Sequence, residues 1–159
     1  MAISQKITTC LWFDNQAEEA ASFYCSIFKN SEVGKISRYG DAGPGKKGDV
    51  MVVTFKLDGR EFMGLNGGPI FKFTEAISLV VHCEDQAEID YFWEKLTAGG
   101  GHESQCGWLK DKYGLSWQVV PSILGKLMQD PVKGKNVMQA LLQMNKLDIN
   151  GLQQAYDAA

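Results

Sequence analysis

A chain of 159 residues, 45% hydrophobic and 11% aromatic, is large enough to bury a core without disulfide or metal staples and too apolar for a disordered segment. A net charge of −3, with both signs interspersed, argues against nucleic acid or an anionic membrane surface as partner. No apolar run approaches the roughly 20 residues that span a bilayer, and the N-terminal stretch lacks the apolar core of an export signal, so a cytoplasmic protein is expected.

Residues 7–13 read as the first strand, with Ile7, Leu11 and Phe13 on one face and Thr8, Cys10 and Trp12 on the other. A helix over 16–28 follows, placing Ala17, Ala20, Ala21, Tyr24, Ile27 and Phe28 at helical spacing. That stripe should pack on the more apolar strand face and leave Thr8, Cys10 and Trp12 facing elsewhere. Strands are expected over 31–39 and 50–57, a two-residue hairpin at Asp58-Gly59, and a returning strand over 60–65. Asn66-Gly67-Gly68-Pro69 then breaks the pattern. Residues 77–83 form the next strand and 86–98 the next helix, with Ile89, Phe92, Trp93 and Leu96 as its buried stripe. Gly99-Gly100-Gly101 stops that helix, and three short strands follow over 102–105, 106–112 and 115–120, ended by Pro121. The tail, 122–159, is helical in pattern, with Ser122 and Asp148 as caps. Its two apolar patches are Leu124, Leu127 and Met128, then Val137, Met138, Leu141, Leu142, Met144 and Leu147. They read as core packing over the sheet, with a pocket lid or a dimer contact as the alternatives.

The chain repeats itself. The strand ending at Phe13 runs into Asn15-Gln16-Ala17-Glu18, and seventy positions on, from 15 to 85, the strand ending at Cys83 runs into Asp85-Gln86-Ala87-Glu88. Asn15 and Asp85 are good N-caps, each with a glutamate three residues later as a capping box requires. The Gly59 and Gly114 hairpins echo each other as well. The expected organisation is one domain, 1–159, made of two strand–helix–strand–strand–strand modules (7–66 and 76–121) and the tail.

Little in the chain spells chemistry. Cys10, Cys25, Cys83 and Cys106 contain no C-x-x-C pair, and strand or helix positions for the first three suit buried thiols in a reducing compartment. Residues 43–48 match G-x-G-x-x-G and 40–46 match G-x-x-x-x-G-K, but a strand follows where phosphate binding needs a helix N-terminus, and Lys47 stands where a hydroxyl would hold magnesium. A solvated connection between strands is the simpler reading. The two histidines, His82 and His102, fall in no metal-binding spacing. His82 reads as a polar residue lining a cleft or capping the helix start, ahead of a catalytic base.

Two such modules resemble the vicinal oxygen chelate superfamily, and several stretches resemble its PhnB-like branch, whose family carries the label 3-demethylubiquinone-9 3-methyltransferase. They are Trp12-Phe13 with Ala17-Glu18-Glu19-Ala20 and Phe23-Tyr24; Leu65-Asn66-Gly67-Gly68-Pro69; Cys106-Gly107-Trp108-Leu109 with Asp111; Trp117-Gln118-Val119-Val120-Pro121; and the tail stretch Gln143-Met144-Asn145-Lys146-Leu147-Asp148-Ile149. The resemblance implies an α+β fold of the glyoxalase/bleomycin-resistance type: paired βαβββ modules forming a curved eight-stranded sheet around a cleft, with a helical C-terminal tail, and a homodimer. Metal-dependent relatives take their ligands from the first and last strands of each module, which carries over to Thr8, Met63, Ser78 and Gln118. None is an imidazole or a carboxylate, and a one-residue slip brings in Thr9, Leu79, Trp117, Val119, Phe62 or Gly64; the nearest acidic residue, Glu61 on the Met63 face, reads as a hairpin-flanking surface charge. No metal and no cofactor is therefore expected. The methyltransferase label lacks a glycine-rich strand-to-helix turn to hold a methyl donor.

Three functions follow. The first is a metal-free protein binding a small apolar or aromatic metabolite in the cleft, anchored by Cys10, Trp12, Ser78, His82 and Gln118. The second is an enzyme, either the transferase of the family label or a glyoxalase- or dioxygenase-like metalloenzyme. The third is a dimeric interaction module whose cleft its own side chains fill.

Overall fold

The computed structural model describes residues 5–159; the first four residues of the expected domain lie outside it. The chain divides into two compact units, one ending at Lys72 and one beginning at Phe73.

The first unit runs β1 (Thr9–Phe13), α1 (Ala17–Ile27), β2 (Glu32–Arg38), β3 (Val50–Leu57) and β4 (Arg60–Asn66). Its sheet has the order β1-β4-β3-β2, with β1 parallel to β4 and the other pairs antiparallel. Leu11 and Phe13 on one face of β1 join Val53, Phe55 and the Ala17–Ala20–Ala21–Tyr24 stripe of α1 in the core. The alanines let the helix sit close: a Cβ added at Gly64 would meet that of Ala17 at 3.1 Å. Asp58 (φ 48°) and Gly59 (φ 76°) both take the left-handed region that a tight two-residue hairpin needs. Ile7, by contrast, precedes the strand and is 85% exposed.

Asn15 does not cap α1. Gln16 occupies the N-cap position without a side-chain bond, and the Ala17 N–H donates to Asn66 Oδ1 at 2.9 Å. The parallel register sets Asn66 beside Phe13, so the end of β4 delivers an amide to the start of the helix. The same amide donates from Nδ2 to the Val50 carbonyl at 3.1 Å. A cap supplied from a distant strand displaces the local one.

The second unit runs β5 (Ser78–Cys83), α2 (Gln86–Thr97), β6 (His102–Glu103), β7 (Trp108–Lys110), β8 (Ser116–Pro121), α3 (Leu124–Leu127), α4 (Lys133–Leu141) and α5 (Ile149–Asp157). Its sheet order, β5-β8-β7-β6, repeats the first, with β5 parallel to β8. The repeat extends to register: the Cys10–Met63 pair of the first sheet corresponds to Val80–Gln118 in the second, seventy and fifty-five positions on. Here the expected cap holds, Asp85 Oδ1 accepting from the Glu88 N–H at 2.9 Å while Glu88 Oε2 accepts from the Glu84 N–H.

Strands β6 and β7 are shorter than expected because residues 104–107 turn away from the ladder. Cys106 (φ 62°) and Gly107 (φ 84°) donate their N–H groups to the carbonyls of Met144 and Asn145 in the tail. A Cβ on Gly107 would strike the Val119 carbonyl at 2.9 Å and Leu147 at 3.1 Å.

Tail helices pack around Leu127, Val137, Leu147 and Leu152, with Val120 of β8 against them. Asp148 caps α5, but Ser122 caps nothing and donates to Glu84 instead. Met138 and Leu142, expected in the buried patch, are exposed. Gln86 of α2 clamps the tail twice, donating to the Leu147 carbonyl at 3.0 Å and accepting from the Ile149 N–H at 2.9 Å. Among the described residues no helix is long and apolar enough to cross a membrane.

Candidate functional site

Two rungs of side chains cross the second sheet on the face turned away from α2. In-register neighbours share a face, so the ladder places Ser78, Ser116, Lys110 and His102 in one row over β5, β8, β7 and β6. The next row holds Val80, Gln118 and Trp108. Intervening residues (Val81, Leu109, Trp117 and Val119) point the other way and are buried. The first row is thus polar and carries the Lys110 ammonium, and the second sets the Gln118 amide between Val80 and the Trp108 ring.

Over the β6–β7 side of these rows lies a groove of about 500 Å³, lined by Trp108, Lys110, Ser116, His102, Glu75 and the 103–106 turn, with Leu109. Lys110 Nζ reaches Glu75 at 2.5 Å, and the ammonium group holds the Glu75 carboxyl below its ordinary pKa. Ser116 is 0% exposed, and its hydroxyl is the only buried side-chain polar atom among the described residues with no hydrogen-bond partner. A buried hydroxyl left unpaired costs on the order of 1–3 kcal/mol, so this atom marks the groove more sharply than its shape does.

The anticipated site residues divide between the units, Cys10 and Trp12 in the first and Ser78, His82 and Gln118 in the second. Ser78 and Gln118 meet, Gln118 Nε2 donating to Ser78 Oγ at 3.0 Å, in the same two rows. His82 is exposed further along β5, opposite Val120. Trp12 is half-buried under the segment after β4: its Nε1 donates to the Gly68 carbonyl at 2.9 Å, Phe71 stands edge-on at 4.8 Å, and a Cβ on Gly67 would collide with its ring. That indole is committed to holding its own segment. Cys10 is exposed instead of buried, while Cys83 is fully buried, its thiol pushed up to about 12 by burial and by the neighbouring Glu88, Asp85 and Glu84. Neither behaves as an activated nucleophile. Sequence reading assigned none of Ser116, Lys110, Trp108, Glu75 and His102 to the site, although it met Trp108 in a family stretch and weighed His102 as a metal ligand. Ser116 had a usable signal, lying two residues before Gln118 and so on the same strand face.

A second hollow, of about 490 Å³, lies in the first unit beside Asp14, Glu18, Arg38, Tyr39 and Asn66. Its polar groups include several already in use: the Tyr39 hydroxyl donates to the Asn66 carbonyl at 2.6 Å and Arg38 Nη1 to that of Gly48 at 3.1 Å. The glycines from Gly43 to Gly48 lie between β2 and β3, with no helix after them. That context does not fit a methyl donor's nucleotide half.

The residues at the metal positions do not fit a divalent ion either. Thr8 is an exposed hydroxyl, Met63 a thioether beside Cys10, and Ser78 and Gln118 are bonded to each other. Among the described residues no three His, Cys, Asp or Glu side chains gather as a metal site would require.

The family described as 3-demethylubiquinone-9 3-methyltransferase matches residues 5–120. The chain belongs to that family. The PhnB protein of Bacillus cereus is 45% identical, covering 74% of this chain and 100% of its own, with a TM-score of 0.67. Protein PA1353 of Pseudomonas aeruginosa (19% identity, 74% and 98% coverage, TM-score 0.61) has the same fold. So does the fosfomycin resistance protein FosX of Listeria monocytogenes, solved with Mn(II) and sulfate (16% identity, 76% and 91% coverage, TM-score 0.52). These two show the vicinal oxygen chelate fold and nothing finer. No curated protein matches the chain. The family match stops at residue 120, so α3, α4 and α5 lie beyond it.

Proposed function

We propose that this PhnB-like protein binds a small organic molecule without a divalent metal, on the face of the second sheet turned away from α2. The observation that carries this reading is the groove whose floor holds Ser116, a fully buried hydroxyl with no partner, beside the half-buried ring of Trp108. Apolar pockets with a few directional polar groups are what small-molecule sites generally offer. Trp108 supplies flat apolar area, and Ser116, with the linked Ser78–Gln118 pair behind it, supplies hydrogen bonds.

Thermal denaturation of the full chain against small aromatic compounds tests the reading. A ligand at 100 times its Kd stabilises the folded state by about 2.7 kcal/mol, and Trp108→Ala should abolish that gain. Manganese, nickel and zinc should give no saturable stabilisation; a stoichiometric ion retained through purification would overturn the metal-free reading. The family's description favours a transferase as the second reading. S-adenosylmethionine tests it in the same assay, and we expect no shift.

A further inference from the structure

The groove already contains a carboxylate, that of Glu75, and the manner in which it is held identifies the ligand class. Lys110 is the register partner of both His102 and Ser116, so its ammonium group rises from the centre of the polar row, and Glu75 sits on it at 2.5 Å. Glu75 lies in the irregular segment before β5, outside any helix or strand, and its side chain is 64% exposed. Its exposed carboxylate is held there by Lys110 and by its own backbone N–H, so these two contacts are what a displacing acid must replace or release. Ser116, by contrast, is shielded from water and satisfied by nothing the chain supplies. A molecule that takes the place of Glu75 gains a charge-assisted bond to Lys110 and brings an acceptor into the row that contains the idle hydroxyl.

We propose that the groove takes a planar aromatic carboxylic acid, its carboxylate displacing Glu75 from Lys110 and, through the space Glu75 leaves, accepting from the Ser116 hydroxyl that is shielded in the free protein, while its ring lies on Trp108. Glu75 is then a built-in competitor that keeps Lys110 neutralised until an acid arrives. This inference rests on the binding reading above and adds the chemical class. The size of the groove, about 500 Å³, suits a ligand of one or two fused rings. A carboxylate is preferred over a neutral polar group because a neutral group could not give the Lys110 ammonium the counter-charge it loses when Glu75 leaves.

The test compares 2-naphthoate with its neutral isostere 2-naphthamide, titrated by calorimetry into the full-length protein. Wild type should prefer the acid by about tenfold or more, the range of one charge-assisted hydrogen bond. Lys110→Met should bring the acid down to the amide, and Lys110→Arg should retain the preference. Glu75→Gln should tighten the acid severalfold and leave the amide unchanged. Ser116→Ala should weaken the acid without lowering the melting temperature, whereas a hydroxyl with a structural purpose would lower it. Equal binding of the two probes, both lost in Trp108→Ala, would overturn the acid preference and leave the binding reading standing. Binding of neither probe, or binding untouched by Trp108→Ala and Ser116→Ala, would overturn both.

Discussion

Asp111 is 2% exposed, and its carboxylate is spent on its own neighbourhood. Oδ1 accepts from the N–H groups of Tyr113 and Leu115 at 2.9 and 3.1 Å, and Oδ2 accepts from Trp117 Nε1 at 2.8 Å. This is an Asx-type turn fused to an indole anchor, and it closes the β7–β8 hairpin. Replacing Asp111 by Ala leaves the buried Leu115 and Trp117 donors without this acceptor, and should cost about 3 kcal/mol in urea unfolding. The thiols make a second test at this scale. Cys83 stays protonated at pH 8 because burial and three nearby carboxylates push it to about 12, whereas Cys10 is exposed. Ellman's reagent should label Cys10 first and reach Cys83 only when the protein unfolds; early modification of Cys83 would contradict its placement.

At the scale of elements, the two modules solve the same capping problem differently. Helix α2 takes its cap from Asp85, next to it in the chain, and α1 takes its from Asn66 across the parallel β1–β4 pair. Asn66→Ala should therefore destabilise the protein by about 1–2 kcal/mol, the usual cost of a lost cap. Asn15→Ala, whose side chain makes no cap bond, should stay within about 0.5 kcal/mol. Equal effects in chemical denaturation would show that the local asparagine caps after all. The stretch Leu65-Asn66-Gly67-Gly68-Pro69 has a mechanical explanation in the same region. Asn66 holds the helix, Gly67 leaves room for the Trp12 ring, and Gly68 takes its N–H.

For the second unit as a whole, the tail is a structural partner of the module it follows. Its core at Leu127, Val137, Leu147 and Leu152 closes on Val120, and its backbone carbonyls at Met144 and Asn145 hold the turn that borders the groove. Leu147→Ala should cost about 2–5 kcal/mol, as fully buried leucines do, and should weaken ligand binding because that turn loses its support. Charge also holds the tail. Asp90 is kept below its ordinary pKa by hydrogen bonds from Lys146 and Gln86, and Asp130 by the backbone N–H groups of Lys133 and Val132. Groups with a depressed folded pKa add stability above the unfolded value, and that stability is lost as pH falls through the folded one. The melting temperature should thus fall on the acid side of about 4. Asp90→Asn should flatten part of that fall, and an unchanged profile would remove the Lys146 contact from the account.

The repeat, the order of the strands and helices and the inward face of β1 at Leu11 and Phe13 were legible in the sequence alone, whereas the positions Thr8, Met63, Ser78 and Gln118 came from the family resemblance. The first three rest on local physics: alternation along a strand, spacing around a helix, and turn chemistry at Asp58-Gly59. Only the tertiary structure decided that Asn66 caps α1, that Trp12 is covered by its own following segment, that the 104–107 turn belongs to the tail, and that Ser116, Lys110 and His102 stand in one row with Glu75 paired to Lys110. These depend on register between strands distant in sequence. A hydroxyl's lack of a partner becomes visible only once every neighbour that could have satisfied it has been placed.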